Sequence, residues 1–448
     1  MDDRQYRIGD RRMNEIMRRR LTRRSMLKGA GMGVAGFSLA SFLAACGGDG
    51  NGTGGGGGNG GATGATGATG AVPSGFDIAE IYAGEPGSSV NFANWPFYLD
   101  QSKDETGQVY NPSLALFKEQ TGIDVNYEDV INSNEEFFGR LRPVLEAGDS
   151  TGWDIIVITN GRIFTALALN EWVYPLDPSR RPNFDANAAS WAKDPFYDPG
   201  NTYGMAWQSG ITGIGYNSDL TNGPITKLDD LANPDKVGQG MVFMLTYDMP
   251  DFVMINLGID PKTSGPDEWK EAAAWLQMQR DSGTVRTYGG NEYLQELQNG
   301  NLSACMAWSG DVLYSNIWLL YDTLEFVFPE DGALLWIDNM MIPAGAENPV
   351  GAMQVMDFYY DPEVATMVTE WVLYMSPVTA THDLMLRDAD AAEEEGSRGR
   401  ANKLRATAES PYLYPDDEFL SRTSFGRALE TDEEAAEWDS IFLPISQD

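Results

Sequence analysis

The chain has 448 residues, 42% of them hydrophobic and 12 of them tryptophan, which is enough apolar material for two packed lobes and excludes global disorder. The formal charge is −35, and ten of the 31 Lys and Arg fall in the first 45 residues, so the remainder is more acidic still and repels nucleic acid. Two cysteines, Cys46 and Cys305, and one histidine, His382, are too few for a Cys/His zinc site or a disulfide framework.

In chain order the first signals are an address. Thr22-Arg23-Arg24-Ser25-Met26-Leu27-Lys28 resembles a twin-arginine export motif. The apolar stretch from Gly29 to Ala45 is shorter than the roughly 20 residues needed to cross a bilayer and reads as a signal-peptide h-region. Leu43-Ala44-Ala45-Cys46-Gly47 resembles a bacterial lipobox, with cleavage leaving Cys46 for lipid attachment. Residues 1–45 are therefore expected to be a signal peptide and 46–75 a lipid-anchored, Gly-rich linker. The body would stand on the outer face of the cytoplasmic membrane or in the periplasm. The linker contains accidental G-x-G-x-x-G matches, but neither a strand before them nor a helix after them, so they carry no nucleotide reading.

The body alternates strands and helices. Ser89–Asn94 reads as a strand, Pro112–Gln120 as a helix stopped by Gly122, and Ile123–Asp129 as a strand. Asn134–Ala147 follows as a helix, and the compact apolar run Trp153–Ile158 suits a buried parallel strand. Asp361-Pro362-Glu363 opens a helix whose Val364, Met367, Val368, Trp371, Val372 and Met375 share one face. Asp388–Arg400, charged and rich in small residues, reads as an exposed insertion. Strand–helix alternation predicts an α/β architecture with ligands at the carboxyl ends of strands.

From about Val90 onward the chain resembles the spermidine/putrescine-binding proteins of bacterial ABC transporters. The resemblance rests on Asn94-Trp95-Pro96-Phe97-Tyr98, on Phe117 to Val125, and on Thr246-Tyr247-Asp248-Met249-Pro250-Asp251. Ala307-Trp308-Ser309-Gly310, Trp336-Ile337-Asp338 and Tyr374-Met375-Ser376-Pro377 complete it. It implies a type II, two-lobe periplasmic-binding-protein-like fold with the ligand in the cleft between lobes. Lobe 1 would hold residues 86–209 and 339–375, and lobe 2 residues 210–338 and 376–448. It also implies a ligand box of Trp95, Tyr98, Asp248, Asp251, Trp308, Trp336, Asp338 and Tyr374. The chemistry of those types suits a polyamine: an ammonium leaving water needs a fixed counter-charge, and the methylenes between amines suit flat aromatic walls. Two departures, Thr159-Asn160-Gly161 where the family often has an aromatic and Ser424-Phe425-Gly426-Arg427 where it can supply a glutamine, predict a roomier site at one end.

The partners so implied are a small cation such as spermidine or putrescine, an ABC permease, and the membrane through the lipid anchor. No cofactor, metal or catalytic residue is expected. Residue types alone leave alternatives open. Asp248 and Asp251 also suit a helix-capping pair. A sugar would fit aromatic walls with carboxylates, and a carboxylate pair could serve an anchored glycoside hydrolase. Ser-His or Cys-His catalysis would have to pass through His382, and no G-x-S-x-G surrounds a serine.

Overall fold

The computed structural model describes residues 75–429 and 431–447, so the signal, Cys46 and linker expectations lie outside the described residues. The strands are β1 (Ser89–Asn94), β2 (Ser102–Lys103), β3 (Val109–Tyr110), β4 (Asp124–Asp129), β5 (Ile155–Thr159) and β6 (Gly204–Asn217). They continue with β7 (Val242–Leu245), β8 (Val285–Gly289), β9 (Ala304–Trp308), β10 (Leu324–Val327), β11 (Ala333–Met341) and β12 (Thr423–Phe425). One sheet runs β4-β1-β5-β11-β6-β9-β7-β8, with β10 added to β6 and β12 to β11, while β2 and β3 form a separate hairpin. Each flank is parallel, β1 with β4 and β5, and β7 with β8 and β9. The long central strands are antiparallel to each other and to their neighbours β5 and β9.

Those long strands divide the molecule into two cores. The Gly204–Thr212 part of β6 pairs with β11, and its Thr212–Tyr216 part with β9. Trp207 and Met340 belong to one core, with Phe92, Phe117 and Val368; Ile211 and Leu334 belong to the other, with Phe252, Trp269 and Leu276. A third crossing lies beside β6, where Ser209 and Met375 exchange backbone hydrogen bonds at 3.0 and 2.8 Å. Tyr374 and Met375 are adjacent in sequence yet serve opposite cores. Two lobes result, joined by three chain crossings side by side.

Local rules account for several boundaries. Pro112–Thr121 is helical and stops at Gly122, which takes the left-handed conformation (φ 76°). Ser133 caps Asn134–Glu146, and Asp361 caps Pro362–Val372 through the amides of Glu363 and Val364. Met375 lies beyond that helix, past Leu373 in the left-handed conformation, so the apolar face is shorter than its spacing predicts.

Asp388–Arg400 is largely exposed, as expected, but it is helical. It forms the facing ends and the turn of a helical hairpin, Thr381–Glu394 and Arg398–Ala408. Met385, Ala389, Leu404 and Ala408 are buried between the helices. Small alanines let the helices approach, and the charged positions form their outer rim, where Arg405 bridges to Asp390 at 2.8 Å. A charge-rich composition hides this, because a thin alanine stripe suffices to bury one face.

Candidate ligand-binding site

The strand ends at the crossing bring the acids together. β11 places Asp338 opposite Thr159, the last residue of β5. Thr159 Oγ1 donates to Asp338 Oδ1 at 2.6 Å, and Asn134 Nδ2 donates to the same hydroxyl at 2.8 Å, which directs the threonine proton at the carboxylate. Tyr98 reaches Asp338 Oδ2 at 2.8 Å from the turn after β1. On the other lobe, Trp308 closes β9 opposite Thr212 of β6. The Trp308 indole N–H and the Thr212 hydroxyl both donate to Asp248 Oδ2, at 2.8 and 2.7 Å.

Asp248 occupies the N-cap position of the helix Met249–Asn256, but its side chain makes no capping hydrogen bond. The capping alternative therefore fails for Asp248, whose carboxylate turns to sheet donors. Asp251, in the first turn, accepts the Arg427 amide at 3.1 Å. Gly426 presses on it so closely that a Cβ there would stand 2.6 Å from Asp251 Oδ2.

Tyr374 is the hub of the aromatic wall. Its ring meets Tyr98 edge-on at 5.6 Å and Trp336 at 5.3 Å between centroids. Gly210 and Gly310 make room for this packing: a Cβ would fall 2.5 Å from the Trp336 ring at the first and 2.6 Å from the Tyr374 ring at the second. Trp95 stands further out; its indole N–H donates to the Val157 carbonyl at 3.2 Å, and its ring packs at the edge of the first core.

Sequence reasoning missed Asp311. It lies just past the Ala307–Gly310 segment, in the first turn of the helix Ser309–Ile317, where an acid reads as ordinary dipole complementation. Tyr293 and Tyr374 both donate to it, at 2.7 and 2.8 Å. Thr159, Thr212 and Tyr293 were also missed, because neutral hydroxyls carry no sequence signal of their own. His382 is surface-exposed, paired with Asp383 at 2.8 Å and set against the Tyr414 ring.

The electrostatics are dominated by desolvation. Burial pushes Asp338 up to about 6 against the opposing pull of Thr159 and Tyr98, with Asp248 adding repulsion. Burial likewise raises Asp248 and Asp311 above the usual carboxylate range, and carries Asp251 to about 7. Tyr98, Tyr293 and Tyr374 hold their protons tightly, through burial first and neighbouring acids second, so they serve as donors. Burying a carboxylate costs several kcal/mol. Two hydrogen bonds to a charged group return about 1.5–3 kcal/mol each, which roughly balances the cost and leaves no surplus. Among the described residues, every donor reaching Asp248, Asp311 and Asp338 is a neutral hydroxyl or indole.

A small cavity of about 30 Å³ lies at the end where the sequence departs from the polyamine binders, so that end is not the roomier one the departures predict. Thr159–Gly161 and Gly426–Arg427 line it, together with Tyr247, Asp248, Asp251 and Trp336. The Trp336 indole nitrogen is buried without a hydrogen-bond partner.

The bacterial extracellular solute-binding protein family matches residues 114–394. The putrescine-binding periplasmic protein PotF of Escherichia coli is 28% identical over 324 residues, covering 66% of this chain and 83% of PotF. The putrescine-binding periplasmic protein SpuD of Pseudomonas aeruginosa is 28% identical over 330 residues, covering 69% and 82%. Among solved structures, the spermidine/putrescine ABC transporter substrate-binding protein PotD of Streptococcus pneumoniae shares the fold with a TM-score of 0.63 at 21% identity, covering 80% of this chain and 98% of that one.

Proposed function

This chain belongs to the bacterial extracellular solute-binding protein family, and from that premise we propose that it captures a polyamine, putrescine or spermidine, between its lobes for an ABC importer. It is a binding component and not an enzyme. The observation that carries the ligand assignment is the convergence of Asp248, Asp311 and Asp338, all buried and all served only by neutral donors, around an aromatic wall. Such a cluster lacks positive charge, and a ligand with an ammonium at each end supplies it. Aromatic faces then add cation–π attraction of about 0.5–2 kcal/mol per well-placed contact. A sugar would leave the acids unneutralised, so this charge balance disfavours it.

The ligand-facing set is Trp95, Tyr98, Asp248, Trp308, Trp336, Asp338 and Tyr374, with Asp311 added and Asp251 at the cavity's far end. Lobe 1 comprises residues 86–209 and 339–375, and lobe 2 residues 210–338 and 376–448; the division of the two cores along β6 and β11 supports the limits at 209/210 and 338/339, while Met375 and Val378 pack across the third limit. A ligand touching both lobes stabilises the closed form, which the permease then recognises. The chain is exported and lipid-anchored through Cys46, a reading that rests on the lipobox.

The test is calorimetric titration of residues 76–448 with putrescine and spermidine. Saturable one-to-one binding that disappears in Asp338→Asn is expected. Absence of heat with either amine in the unsubstituted protein would refute the polyamine assignment.

A further inference from the structure

The polyamine reading leaves the number of amines open, and the far wall of the cavity bears on it. Two charge stations face a ligand. The first is Asp338 with Asp311, linked through Tyr98 and Tyr374. The second is Asp248, whose Oδ2 takes both recorded hydrogen bonds and whose Oδ1 takes none among the described residues. Along β6 these stations correspond to Gln208, opposite Asp338, and Thr212, the donor to Asp248. Gln208 and Thr212 are four residues apart and so share one face of β6. The two stations offer one charge contact on each lobe, matching the two ammonium groups of a diamine.

A triamine would have to continue past Asp248 into the remaining cavity. Among the described residues of that lining Asp251 is the only further acid, with Glu135 behind it near Tyr247 and Asp248, and Asp251 is already engaged. The Arg427 amide donates to its Oδ1, and Gly426 lies against its Oδ2. The Arg427 charge also acts on Asp251, partly offsetting its burial. Nor is Arg427 free to withdraw: its guanidinium bonds Glu434 and the Lys262 carbonyl. Opposite, Tyr247 crosses from lobe 2 onto lobe 1, its hydroxyl 3.6 Å from where a Gly161 Cβ would stand. That places an aromatic at the position left empty by Thr159-Asn160-Gly161. Beyond the second station, then, the cleft ends in a phenol, an occupied acid and a fixed cation. We infer that the Gly426–Arg427 wall makes the protein selective for diamines over triamines, with Arg427 the specificity-determining residue.

The experiment is titration of the purified protein and of Arg427→Gln with putrescine, cadaverine and spermidine, with thermal melts as a folding control. The unsubstituted protein is expected to bind both diamines about tenfold or more tighter than spermidine. Arg427→Gln should narrow that gap about fivefold or more through tighter spermidine binding, with putrescine affinity nearly unchanged. Spermidine binding as tightly as putrescine would overturn the inference while leaving the polyamine reading intact. A gap that Arg427→Gln leaves unaltered, or a loss of putrescine binding in a folded Arg427→Gln, would overturn the role of Arg427. Failure of every amine to bind the unsubstituted protein would sink the polyamine reading and this inference with it.

Discussion

Ligand capture should release protons, and Asp338 sets the size of the effect. Its carboxyl is pushed up to about 6 because burial disfavours the anion, against the pull of the Thr159 and Tyr98 hydroxyls. An ammonium placed against it restores the anion and returns the pKa toward or below the ordinary carboxylate range. Asp338, raised to about 6, gives up its proton as an ammonium binds, so affinity climbs as pH rises through about 6. For one group at about 6, the competing protonated fraction weakens binding by about elevenfold at pH 5 and hardly at pH 7, a net gain of about tenfold, or about 1.4 kcal/mol. Asp248 and Asp311, raised by the same cause, add to the gain without changing its sign. Aliphatic ammonium groups stay charged throughout, their pKa being near that of lysine, about 10.4. Calorimetry at pH 5, 6 and 7 measures the affinity. Repeating the pH 6 titration in buffers of different ionisation enthalpy counts the protons, with about half a proton expected from Asp338 alone. Affinity that is flat or falls between pH 5 and 7, together with no buffer dependence, would refute the reasoning.

Other consequences are structural. Gly310→Ala drives a Cβ to 2.6 Å from the Tyr374 ring, so it should cost about 1–3 kcal/mol of stability and weaken ligand binding; an unchanged melt and affinity would count against Tyr374 as the fixed hub. Leu404→Ala empties the core of the helical hairpin and should cost about 2–5 kcal/mol in urea denaturation, while ligand affinity stays within a factor of about two because the hairpin core lies outside the cavity lining. Cys46→Ser should shift the protein from the membrane fraction to the soluble one, and continued sedimentation with membranes would rule out the lipid anchor.

The sequence alone determined the alternation of strands and helices, the caps at Asp361 and Gly122, and the residue types of the cleft. These are legible because caps and periodicity act over a few residues, and because a carboxylate such as Asp338 inside the apolar run Leu334–Ile342 is costly without a partner. At Asp388–Arg400 composition gave the exposure but hid the helical hairpin, whose packing depends on which alanines face inward. Tertiary structure alone decided what each acid does. Asp248 and Asp251 are three residues apart in one motif, yet one turns to Thr212 and Trp308 and the other to the backbone of Arg427, 176 residues away. Asp311 became visible only when Tyr293 and Tyr374 were brought to it from distant segments. The physical reason is that a carboxylate's role is set by the donors and the dielectric around it. Those are assembled by strands meeting at a crossing, and no local stretch of sequence contains them.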